Sequence, residues 1–213
     1  MLKKLEPLLT FIFGIFADIN MERIVSWFRK DGKYYNLTDE DWTAIRDLVT
    51  PNYYFILTRR RLHLTTYLIE VASKITTKKT AFWSHALGNV DDGSGSDLKF
   101  IEATKIGVHF SPFEKVFDCD AVVLLEPLNL TQEEWVRVID AMLSFNGRKY
   151  DNLFDLTNDE ELSCIEVLYQ AIRLAKVEDK FPHLMQMVKK VKNIAPEMLY
   201  GCPDLKIAFE VRR

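Results

Sequence analysis

Apolar residues fall at helical spacing in several stretches of the chain and alternate, or run continuously, in others. Trp42, Ile45, Leu48 and Val49 keep a helical period behind Thr38 and Asp41, a hydroxyl and an acid three residues apart that cap a helix start, and Pro51 stops the helix. Tyr53 to Thr58 is aromatic and β-branched and predicts a strand; Leu64, Leu68, Ile69 and Ala72 predict a helix after it. Two strand-like runs, Phe82 to Val90 and Leu98 to Thr104, flank the turn-rich stretch 91–97 and predict a β-hairpin. Val108 to Phe110 and Ala121 to Leu125 add strands. Thr131 and Glu134 cap a helix whose stripe is Trp135, Val138, Ile139 and Met142 and which Gly147 ends. Further helices are expected from Leu162 to about Ala175 and over Pro182 to Lys192, and Lys206 to Val211 alternates as a closing strand. Strands and helices are segregated, which implies an α+β fold with an antiparallel sheet or small barrel packed against helices.

Before Thr38 the chain is different. Lys3 and Lys4 precede an apolar stretch from Leu8 to Ala17, and Trp27, Phe28 and the polar run to Lys33 suggest a helix ending at Gly32. The apolar stretch is too short to span a bilayer, and Ile15 fits poorly three positions before a hypothetical export cleavage. An amphipathic docking helix is the preferred reading, with residues 1–36 as an N-terminal extension and 37–213 as one compact domain.

Composition narrows function mainly by exclusion. The 213 residues are 48% hydrophobic and 28% charged with a formal net charge of -3, which is ordinary for a globular protein and lacks the basic footprint of a nucleic-acid binder. The basic run Arg59-Arg60-Arg61 reads as a solvated element edge. Three cysteines, Cys119, Cys164 and Cys202, give an odd count without CxxC or zinc-type spacing, so neither a disulfide framework nor a metal site is expected, and no cofactor is implied. A reducing compartment, cytoplasmic or particle-associated, is the simpler expectation, with export the lesser one.

Cys164 stands out because it lies at the expected first turn of a helix. Unpaired N–H groups there stabilise a thiolate and can hold an oxyanion beside an attacked carbonyl. His85, in the alternating run Phe82 to Val90, is the candidate base. Placing the hairpin turn midway between Gly93 and Ser94 sets Glu102 directly opposite His85, where a carboxylate can fix the imidazole tautomer. The shift that matters is one residue, which would turn Glu102 to the other face. His63 and His109 show no such partner pattern and read as rim or core histidines.

In order, Ser84-His85-Ala86, Ile101-Glu102-Ala103, Gly147-Arg148-Lys149-Tyr150-Asp151-Asn152-Leu153-Phe154 and Ser163-Cys164-Ile165-Glu166-Val167-Leu168-Tyr169 resemble the circularly permuted branch of the papain-like, NlpC-type superfamily, most of all its YiiX-like members. The resemblance spans roughly His85 to Ala171. It implies Cys164 as nucleophile, His85 as base, Glu102 as third polar residue and Tyr150 near the oxyanion position. The chain departs from the family pattern at Ile165, where a small polar residue is common, which leaves the substrate open. Glu166 reads as a residue holding the helix start locally.

The expectation is a cysteine-dependent amide or ester hydrolase, or an acyltransferase, working through an acyl-cysteine. Its substrate is a small-molecule, peptide or lipid acyl compound; the family's range, by resemblance, covers cell-wall peptides, lipids and acylated amino acids. The alternative is a structural or interaction subunit that retains the fold, with residues 1–36 contacting an assembly or a membrane surface.

Overall fold

A computed structural model describes residues 37–50, 52–60, 81–90, 98–151, 160–191 and 194–213. The expected extension 1–36, the helix after residue 60, His63 and the 91–97 turn lie outside the described residues.

Among the described residues, six strands form one open antiparallel sheet in the order β4-β3-β2-β1-β5-β6. They are β1 (Phe55–Arg59), β2 (His85–Val90), β3 (Lys99–Thr104), β4 (Gly107–Pro112), β5 (Ala121–Pro127) and β6 (Leu205–Arg212). The sheet is open rather than a barrel: β4 and β6 are its two edges.

Both faces are covered, which explains why β5 is a near-continuous apolar run instead of an alternating one. On one face, Phe55, Leu57, Ala86, Ile101 and Val123 pack against helices α3 (Gln132–Ser144) and α4 (Cys164–Leu174). On the other, Ile56, Leu87, Phe100, Val122 and Leu124 meet α1 (Asp39–Val49) and the short α2 (Phe113–Val116). Two short helices, α5 (Pro182–Val188) and α6 (Pro196–Tyr200), extend the first layer, after a 3-10 turn at Glu178–Lys180.

The helix starts form for the reasons the sequence suggests. The Thr38 hydroxyl accepts from Asp41 N at 3.2 Å while Asp41 accepts from Thr38 N at 2.9 Å, and Thr131 with Glu134 repeats the exchange at 3.3 and 2.8 Å. Gly88 lets α3 and α4 approach β2 closely: a Cβ there would meet Met142 Sδ at 2.7 Å.

Gly107, after the β3–β4 turn, has φ 101, and a Cβ on it would lie 2.4 Å from the Arg148 carbonyl oxygen. Gly147, with φ 88, has open space around it. Gly107→Ala therefore combines backbone strain with a collision, and we expect it to cost about 2 kcal/mol, or roughly 4–8 °C in melting temperature. Gly147→Ala carries the backbone part alone. A thermal melt showing equal losses in the two variants would reject the close approach of residue 148 to β4.

Candidate active site

Helix α4 packs against β2 and β3, and its first residue is Cys164. The chain reaches that start through a tied segment: Leu162 N donates to Lys149 O at 2.9 Å, and Val108 N donates to Arg148 O at 2.8 Å. Residues 147–151, including Tyr150, are thereby held between the start of β4 and the entry to α4. Cys164 is almost buried, at 2% exposure, whereas the His85 side chain keeps 25%.

The Cys164 thiol stands close enough to the His85 imidazole to act on it as a hydrogen-bond partner. His85 Nε2 lies 2.6 Å from Glu102 Oε2, which leaves Nδ1 as the ring nitrogen for the thiol. The three sequence-selected residues therefore form a continuous chain. Their register differs from the expected one, because Leu87, not His85, stands opposite Glu102. A one-residue error in the assumed turn centre moves the register by two, so Glu102 becomes the diagonal neighbour of His85 and stays on the same face.

His85 shares its face of β2 with Leu87, which belongs to the core under α1 and α2, while Cys164 belongs to the core on the other face. The two meet because His85 is the first residue of β2 and the β2–β3 ladder runs only from Leu87↔Glu102 to Val90↔Lys99. Glu197 on α6 sets the approach to β2, its Oε2 accepting from Phe82 N at 2.8 Å and Trp83 N at 3.1 Å.

Glu102 is itself fixed from the edge strand. Ser111 Oγ donates to Glu102 Oε1, and His109 Nε2 stands 3.6 Å from the same oxygen. His109, read from sequence as an ordinary histidine, is directly opposite Glu102 in β4. Its Nδ1 donates to Gly107 O at 2.9 Å, since a carbonyl only accepts. Treating Lys105-Ile106 as a tight turn would have revealed both residues: pairing Thr104 with Gly107 places His109 across from Glu102 and Ser111 diagonally from it.

The electrostatics follow from these contacts. Burial alone pushes the His85 pKa down, but the hydrogen bonds and charges of Cys164 and Glu102 outweigh it and raise it from 6.5 to about 10. Burial pushes Glu102 up, but His85, Ser111 and His109 together pull it down to about 2. These contacts favour the protonated imidazole, with Glu102 as the carboxylate behind it. Tyr150 is raised well above the usual phenol value by burial and by the nearby Cys164, Asp151 and Glu166, so its hydroxyl stays protonated and able to donate.

The other cysteines differ. Burial pushes Cys119 up to about 12, and Cys202 likewise to about 12. Cys202 does lie near an acid and a histidine, with Asp204 at 3.4 Å from its sulfur and His183 Nδ1 at 2.7 Å from Asp204. Asp204 stands between them, however, and caps α5 by accepting from Leu184 N at 2.9 Å, so that trio is a helix-start bracket. All three cysteines are free thiols. Two surface clefts of about 450 and 310 Å³ are lined by neither Cys164, His85 nor Glu102.

Fold and side chains together define an antiparallel α+β protein with a thiol–imidazole–carboxylate chain at one end of its sheet. Among solved structures it is similar to the metalloprotein YiiX from Escherichia coli O157:H7, with a TM-score of 0.55 and 15% identity over 75% of this chain and 96% of that one. The likeness is one of fold, and the fold is YiiX-like. No family model matches the chain, and no curated protein matches it. Among the described residues, no group of three or more His, Cys, Asp and Glu side chains is arranged to hold a metal ion. Both Glu102 oxygens already face His85 and Ser111, so these residues do not fit a metal and no step below runs through one.

Proposed function

We propose that the protein is a cysteine-dependent hydrolase or acyltransferase of the permuted papain-like kind, acting on amide or ester substrates through an acyl-cysteine. The observation that carries this reading is the convergence of Cys164, His85 and Glu102, with the thiol beside the imidazole and the carboxylate 2.6 Å behind it.

In this reading the Cys164 thiolate attacks the acyl carbon and the carbonyl oxygen becomes an oxyanion. The free N–H groups of the first turn of α4 and the Tyr150 hydroxyl stabilise it. As the tetrahedral intermediate collapses, the imidazolium of His85 gives its proton to the leaving amine or alkoxide. The neutral imidazole then takes a proton from water, or from another acceptor, as that acceptor attacks the thioester and the thiolate returns. Glu102, held by Ser111, keeps the ring oriented and stabilises its charged form.

The test is acyl-enzyme capture. Exposure to activated esters of varied acyl groups is expected to give a burst equal to the enzyme present and a mass increase of one acyl group on Cys164. No burst and no adduct across short, long and aminoacyl esters would reject the reading. Tyr150→Phe is expected to lower acyl transfer roughly 10²-fold by removing an oxyanion donor, with little change in the alkylation rate of the thiol. An equal fall in both rates would assign Tyr150 to packing.

A further inference from the structure

The acyl-transfer reading uses Cys164, His85, Glu102 and Tyr150 but leaves two buried carboxyls beneath them. Asp151 and Glu166 are each 1% exposed. Their carboxyl groups stand close enough to interact as hydrogen-bond partners. Two carboxylates cannot donate to one another, so the pair holds a proton.

Each carboxyl is attached to a different part of the site. Asp151 follows Tyr150 on the segment pinned to β4 and to the entry of α4. Glu166 lies two residues after Cys164, and its Oε2 accepts from Ser163 N at 2.7 Å, which fixes the residue just before the nucleophile. The contact between the two acids is therefore a direct side-chain link between the tyrosine segment and the nucleophile's helix.

Resting on the proposed acyl-transfer function, we propose that Asp151 and Glu166 are positioning residues: a one-proton clamp holds the Tyr150 hydroxyl beside Cys164, and loss of the proton releases it. The groups facing the clamp are Tyr150 on the pinned segment and Ser163 and Cys164 at the start of α4.

The proton sits on Glu166. Burial and the facing Asp151 push this carboxyl from 4.5 up to about 7, against the hydrogen bonds from Ser163 that pull it down. Losing the proton leaves two anions in contact inside the protein, and the link becomes a repulsion. The imidazolium of His85 persists to about 10, so the clamp and the His85 ring titrate in separate ranges.

This separation makes the clamp testable. In the full chain, acyl transfer is expected to decline with a midpoint near 7 while alkylation of Cys164 continues unchanged through that range. Glu166→Gln keeps both contacts, its amide N–H donating to Asp151 and its amide oxygen accepting from Ser163 N, and cannot titrate. It is expected to abolish the decline near 7, whereas Glu166→Ala lowers acyl transfer on the order of tenfold to a hundredfold at every pH. A Glu166→Gln profile that superimposes on the wild type overturns the proposal.

A second readout needs no turnover. Carbon-13 NMR of the Glu166 carboxyl is expected to give a midpoint near 7 that falls by at least about one unit in Asp151→Asn, where an amide donor replaces the facing acid. A midpoint that stays in place in Asp151→Asn overturns the clamp whatever the enzyme does. Absent turnover with a midpoint that does move overturns the acyl-transfer reading instead and leaves the shared proton standing.

Discussion

Cys164→Ala is expected to abolish acylation, lowering turnover by at least about 10³-fold, and to remove the one thiol of the native protein that reacts with a haloacetamide. The selectivity comes from the surroundings of the three sulfurs. Cys119 and Cys202 are buried free thiols held near 12, so at neutral pH they are protonated. Cys164 has an imidazolium beside it and lies at a helix start. Intact mass after brief alkylation is therefore expected to show one adduct in the wild type, none in Cys164→Ala, and three only after denaturation. Modification of Cys119 or Cys202 in the folded protein at a rate equal to that of Cys164 would contradict this ranking.

The second large effect belongs to His85. His85→Ala removes the cation beside the thiol and the acid that protonates the leaving group, so the alkylation rate at neutral pH and acyl transfer are both expected to fall, the latter by about 10³-fold or more. Glu102→Gln is milder and more informative. The imidazole keeps a hydrogen-bond partner but loses the anion behind it, so loss of the His85 ring proton, read by nitrogen-15 NMR, should retreat from about 10 toward the ordinary 6.5.

The same shifts set the stability profile. His85 is raised, so its contribution is full below 6.5 and is lost as pH rises toward about 10. Glu102 is lowered, so its contribution is full above 4.5 and is lost as pH falls toward about 2. Glu166 is raised, and its contribution fades as pH climbs from 4.5 to about 7. Thermal melts across pH should show the alkaline loss shrink in His85→Ala and the acid loss shrink in Glu102→Gln. Unchanged profiles in both variants would contradict the charge assignments.

Local rules carried much of the sequence reading. The two capping exchanges are determined within four residues, and strands β1, β3, β4 and β5 announce themselves by β-branched and aromatic content. The helix carrying Cys164 begins at that residue, within two residues of expectation. Register was harder, because it depends on where a turn centres. Glu102 kept its place near His85 only because the error was even and preserved the face.

Other parts of the site are set by distant chain. Glu197 reaches the backbone of Phe82 and Trp83 from more than a hundred residues away, and no spacing rule announces such a contact. His109 and Ser111 were within reach, since a two-residue turn at Lys105-Ile106 predicts both neighbours of Glu102. Glu166 does hold the helix start, as read from its position, but its pairing with Asp151 depends on how the 147–151 segment is pinned to β4.

The protonation state of His85 tests the account most directly. Nitrogen-15 NMR of the labelled protein is expected to show a doubly protonated His85 ring persisting well above neutrality, with loss of a proton near 10. In Cys164→Ala that loss should move down markedly, because the thiolate no longer supports the charge. A His85 ring that titrates near 6.5 in both proteins would mean that sulfur and imidazole do not form the pair from which the chemistry is derived.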